Sequence, residues 1–126
     1  MRVDLYEIDG RRVLECPAEG PLLRTAQDAV DLIGEARSVG ANVVVLPIRR
    51  LDPSFFQLRA GIAGEMAQKF VTYQVVAAIV GDTSQLESES KSLRDFIRES
   101  NQRGSIWFLA NKEELQARLE TANRIS

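Results

Sequence analysis

Arg59 is the residue whose position most demands a chemical explanation. The spacing predicts a helix over residues 53–70, opened by Asp52 as N-cap and Pro53 at the first helical position. Stepped at about 100° per residue, this helix has a broad apolar half that carries Phe55, Leu58, Ile62, Met66 and Phe70. Arg59 falls inside that half, where an unpaired charge is costly. Either the side chain reaches the rim or a structural salt bridge, or its guanidinium is aimed at an anionic ligand or a partner's carboxylate. Asp82 follows a buried strand, and in a parallel sheet helix starts and strand ends share the edge where ligands bind. The sequence therefore expects Asp82 close to Arg59, within reach of pairing with it.

Other polar residues fall at helix starts. Ser54 opens the same helix, either as a plain first-turn residue or as a phosphorylation site, since a phosphate there would meet free N–H groups. Thr25 reads as an N-cap and Asp28 completes a capping-box variant. Ser88, Ser90 and Ser92 read as caps for a third helix, with an anion nest at Ser90 and Lys91 as the alternative. The candidate ligand- or partner-binding set is therefore Arg59, Asp82, Asp28, Ser54, Ser90 and Lys91, and it names no catalytic residue and no metal ligand.

Composition narrows the chemistry. The chain has no histidine and one cysteine, Cys16. This removes Ser-His and Cys-His nucleophile pairs, histidine acid/base work, zinc sites and internal disulfides. No cofactor is expected. The formal net charge is −2, and the longest basic cluster is Arg49-Arg50, so nucleic acid is not an expected partner. The longest apolar runs are too short to cross a bilayer, and the first residues lack a signal region, so the expected location is the cytoplasm.

The elements that position these residues follow from periodicity. Strands are expected over 2–8, 12–16, 42–48, 74–80 and 105–109, with a hairpin at Asp9-Gly10. Helices are expected over 26–38, 53–70 and 88–101, with a last one capped by Asn111 and Glu114. This order, a hairpin and then strand-helix repeats, implies a single α/β domain with a mixed five-stranded sheet and four helices. Gly61 and Gly64 would lie inside the second helix, either for close packing or for a contact between subunits. Glu65 and Lys69, four apart, read as an ordinary surface pair.

Two stretches, Leu51 to Tyr73 and Ala78-Ile-Val-Gly-Asp82 followed by Ser90 to Asn101, resemble the bacterial domain-of-unknown-function 4180 family, together with Gln27-Asp28-Ala29. That resemblance implies no activity. The order of elements is also similar to STAS domains, the fold of anti-sigma-factor antagonists, which implies a phosphorylatable residue at the place of Ser54. The chain departs from that pattern, reading Asp52-Pro53-Ser54-Phe55 in place of an Asp-Ser-Ser-Gly-like turn. The expectation from sequence is a non-enzymatic regulatory or protein-interaction module acting as a homodimer. Its rival is a small-molecule or anion-binding protein, or an enzyme, that uses the edge with Arg59 and Asp82. An enclosed pocket on that edge would favour the rival, and a filled edge would count against it.

Overall fold

A computed structural model describes residues 4–125, with side chains through Thr121. β1 (Asp4–Ile8) and β2 (Arg11–Glu15) form an antiparallel hairpin. Its turn, Asp9-Gly10, has positive φ at both residues, as a tight turn matched to strand twist requires. The chain continues through α1 (Ala26–Ser38), β3 (Val43–Pro47), α2 (Ile62–Tyr73), β4 (Val76–Val80), α3 (Ser84–Glu89), α4 (Lys91–Arg103), β5 (Ile106–Leu109) and α5 (Lys112–Ile125). β2 to β5 are mutually parallel, and the sheet order is β1-β2-β3-β4-β5. The fold is thus the expected α/β domain with a mixed five-stranded sheet.

A monotonic strand order dictates the layers. Each parallel crossover is right-handed, so successive crossovers that step the same way stay on one face. That face holds Leu14, Val44, Leu46, Ala77, Ile79, Ile106 and Phe108, packed under Ala29, Ile33 and Ala36 of α1, Ala63, Met66 and Phe70 of α2, and Ile97 of α4. The alternate strand residues Val13, Val43, Val45, Ala78, Trp107 and Leu109 face the other way and meet only α5, through Leu115 and Leu119.

Residues 53–60 depart from the expected helix. They form two 3₁₀ turns, Pro53–Phe56 and Leu58–Ala60, and α2 starts only after Gly61, whose φ is +80°. The local signal at Asp52-Pro53 does start a turn, with the Asp52 carboxylate accepting from Ser54 N at 3.0 Å. Phe55 then turns inward to meet Phe56, Phe96 and Phe108 at ring separations of 5.1–6.3 Å. Aromatic burial thus overrides the helical period. The expected third helix is α4, which starts three residues later than expected, after the extended Ser90, and the short α3 precedes it where a loop was expected.

One helix must close the second face, and polar contacts fix its path. At the β1 end, Lys112 Nζ donates to Glu15 Oε2 at 2.8 Å, while Tyr6 Oη donates to Glu15 Oε1 at 2.8 Å. At the β5 end, the Arg118 guanidinium lies 3.8 Å over the Trp107 ring and donates to Asn101 O. Burial alone would raise the Glu15 pKa, but the bonds from Lys112 and Tyr6 outweigh it and hold the group below its ordinary value.

Two outcomes follow. Leu119→Ala leaves a cavity against a face with no second cover, and the expected loss is about 3 kcal/mol in urea denaturation. Glu15→Gln should lower stability at neutral pH by about 1 kcal/mol. A depressed carboxylate stabilises fully above its ordinary value of 4.5 and loses that contribution as pH falls through the folded value. The gap between wild type and Glu15→Gln should therefore vanish on acidification; a gap that persists would show that Glu15 acts through packing instead.

Candidate functional site

The strand C-termini form the edge at which a site was expected. An aromatic cluster packs beside it, against β5. Phe55 is buried, with the rings of Phe56, of Phe96 on α4 and of Phe108 on the edge strand β5 around it. Gly81, at the end of β4, lies against Ile48, and a Cβ there would collide with the Ile48 side chain. The strand order also never reverses, so the sheet lacks the crevice that opens where crossovers diverge.

The expected site residues are spread along this edge. Arg59 lies on the exposed second 3₁₀ turn, and its side chain forms no ion pair among the described residues. The apolar half that would have buried it does not exist, because the chain is not helical there. Asp82 does not pair with it. Its carboxylate accepts from Ser84 N at 2.9 Å, and bonding from Ser84 holds its pKa low. Asp28 completes the capping box, accepting from Arg24 N at 2.9 Å and Thr25 N at 3.1 Å, bonds that lower its pKa. Ser54 is half-buried, and its hydroxyl donates to the Asp52 carboxylate. A phosphate on that oxygen would stand against a carboxylate that Ser54 itself keeps ionised. Ser90 caps α4 by accepting from Leu93 N at 3.2 Å, whereas Lys91 points to Asp95 at 3.1 Å. These bonds account for Asp28, Ser54, Ser90 and Lys91 as local caps and pairs. The structure does join Asp28 and Ser54 loosely, since Arg24 Nε lies 3.4 Å from Asp52 Oδ1.

The buried arginine among the described residues is Arg50, which sequence reasoning passed over. It is 6% exposed. Its Nε donates to Pro21 O at 3.0 Å and its Nη1 to Pro17 O at 2.7 Å, and Gly20 lies flat against the guanidinium. Arg49 Nε adds a bond to Ala18 O at 3.2 Å. Proline has no N–H, so loop 17–21 is rich in carbonyls and poor in donors. Arginine, with five donors, suits such a loop. Two arginines directly after an apolar strand, opposite a proline-bounded loop, were the signal available.

Beside Arg50, a hollow of about 250 Å³ is lined by Cys16, Leu32, Asp28, Asp31 and Glu35. Burial raises the Cys16 thiol to about 11 despite the nearby Arg50 charge, so the thiol stays protonated and a poor nucleophile. A second hollow, of about 300 Å³, lies at the β4 and β5 ends, between Asp82, Glu87, Asn101 and Glu114. Neither hollow gathers a nucleophile, a base and an oxyanion donor. No group of acids and cysteine among the described residues could hold a metal ion. No helix among them is long and apolar enough to cross a membrane.

Arg50→Met keeps the apolar stem and removes the donors. It should destabilise the protein by about 2–4 kcal/mol, because two carbonyls are left unpaired. Arg50→Lys should recover only part, since one ammonium cannot span both acceptors as a fork does. Urea denaturation measures both, and equal stability of all three proteins would remove Arg50 from this role.

The family model described as a domain of unknown function (DUF4180) matches residues 8–119. No curated protein and no solved structure matches the chain.

Proposed function

We propose, for a chain that belongs to the DUF4180 family, that it is a non-enzymatic protein-interaction module working as a homodimer through the outer faces of α1 and α2. The observation that carries this reading is the outer surface of α1 and α2, where two helical glycines face empty space and three large apolar side chains are exposed.

The α1–α2 face has the properties of such a surface. Gly34 of α1 and Gly64 of α2 sit in helices, where glycine costs about 1 kcal/mol relative to alanine. A Cβ at either would meet nothing within 4 Å, so packing inside the subunit does not require them. Among the described residues, four large apolar side chains are exposed, and three of them, Val39, Val71 and Tyr73, lie at the C-terminal ends of these two helices. Glu65 and Lys69, expected to pair, form no ion pair with each other. Two α2 helices packed antiparallel about a two-fold axis would set Glu65 against the partner subunit's Lys69, and the reverse, which makes the face complementary to itself.

Gly64→Arg tests this reading, because the new side chain enters open space within one subunit and the contact between two. Sedimentation velocity should show a wild-type dimer. The variant should associate at least about tenfold more weakly, with a monomer at least as stable to heat, since a glycine is lost from a helix. A wild type that sediments as a monomer at high concentration would sink the homodimer.

A further inference from the structure

We propose that the outer edge of β1, with the groove beside it, docks an extended basic segment of another protein as an added strand. The inference does not rest on the homodimer, since β1 and α5 form a different surface from the outer faces of α1 and α2.

The two edges of the sheet are treated differently. At β5, the Asn101 side chain occupies the main chain as a neighbouring strand would: its Nδ2 donates to Phe108 O at 3.2 Å, and its Oδ1 accepts from Phe108 N at 2.7 Å. At β1, the order of strands ends, and no described residue pairs with the outer side of Asp4–Ile8. An uncovered strand edge offers a row of N–H and C=O groups to an extended chain.

A groove of about 470 Å³ runs along this edge, between β1 and α5. Tyr6 and Ile8 contribute its apolar part, and Gln116 and Glu120, one turn apart on α5, line the far side. Asp4, Glu7, Asp9, Glu15 and Glu120 bring negative charge against the single Lys112. Glu15 is already held by Lys112 and Tyr6, and Glu7 lies 3.8 Å from Arg12. Asp4 and Glu120 form no ion pair among the described residues.

Charge selects the occupant. A second copy of β1 would bring its own Asp4 and Glu7 to the same edge, so the acids oppose self-pairing. A strand with Lys or Arg at alternate positions meets attraction instead. Side chains of an added strand alternate between faces, so every second residue falls on the groove side, beside Asp4, Tyr6 and Ile8. The fitting partner is therefore an extended segment that presents basic and apolar side chains in turn on one face.

The test uses the full chain and a capped synthetic peptide, Val-Thr-Lys-Thr-Val-Thr-Lys, read by amide hydrogen exchange and by titration. Binding should slow exchange in Asp4–Ile8. N-methylation of alternate peptide residues should weaken binding at least about tenfold, as should the double reversal Asp4→Lys with Glu120→Lys. The same peptide with Glu in place of Lys should prefer the reversed variant. Absence of binding overturns the proposal. So does binding that leaves β1 exchange unchanged or that tolerates N-methylation, either of which would mark a merely electrostatic association.

Discussion

The handedness of the crossovers is the constraint on which the rest of this molecule depends. Three crossovers link β2, β3, β4 and β5 in one direction, and a right-handed chain that keeps stepping the same way cannot change faces. α1, α2 and α4 are therefore confined to one layer, where they form the larger core. The opposite face is left to whatever follows β5. That single helix must cover strands from β5 to β1, and it does so with Leu115 and Leu119 beneath it, Lys112 anchored at its start and Arg118 anchored between the two leucines. The Glu15–Lys112 and Arg118–Trp107 contacts thus decide where α5 lies, whereas its two leucines decide that it docks at all.

The same constraint shapes the strand-end edge. Open α/β sheets bind ligands where neighbouring crossovers diverge to opposite faces. Here they never diverge, and the chain uses the edge for closure. The residues after β3 illustrate this. Arg50 turns back to hold loop 17–21 by its carbonyls, Leu51 bridges to Leu23, and the 3₁₀ turns deliver Phe55 against Phe108 of β5. Buried charge, backbone pairing and aromatic packing all seal one region, and the small hollows that remain lie to either side of it.

Much of the fold was legible in the sequence because local and tertiary demands agree there. α1 runs over the expected residues, since Thr25 and Asp28 form the box that their types suggest and Ala29, Ile33 and Ala36 recur at the helical period. β3, β4 and β5 are apolar on both faces because both faces are covered. Legibility fails where tertiary packing overrules the local period. Residues 53–60 carry a helical pattern, yet Phe55 gains more from the phenylalanine cluster than from continuing the helix. Gly61 then supplies the left-handed residue that lets α2 restart. The misplacement of Arg59 follows from that one error: on a helix it is buried and asks for a ligand, and on a turn it is solvated. Arg50 was hidden for the converse reason, because its partners are carbonyls more than 25 residues away, which no local pattern displays.

The glycines separate what the fold requires from what it leaves unexplained. Gly20 lies flat on the Arg50 guanidinium, Gly81 against Ile48, and Gly104 would bring a Cβ to 3.0 Å from Ser100 O; each is explained by crowding within the subunit. Gly10 and Gly61 are explained by positive φ. Gly34 and Gly64 have helical backbones and empty surroundings, so alanine at either would stabilise the isolated helix by about 1 kcal/mol. A subunit considered alone gains nothing from them. What their missing side chains provide is access to the backbone from outside, on the two helices that also expose Val39, Val71 and Tyr73. That is the physical ground for looking outward from α1 and α2, and it holds whichever surface approaches them.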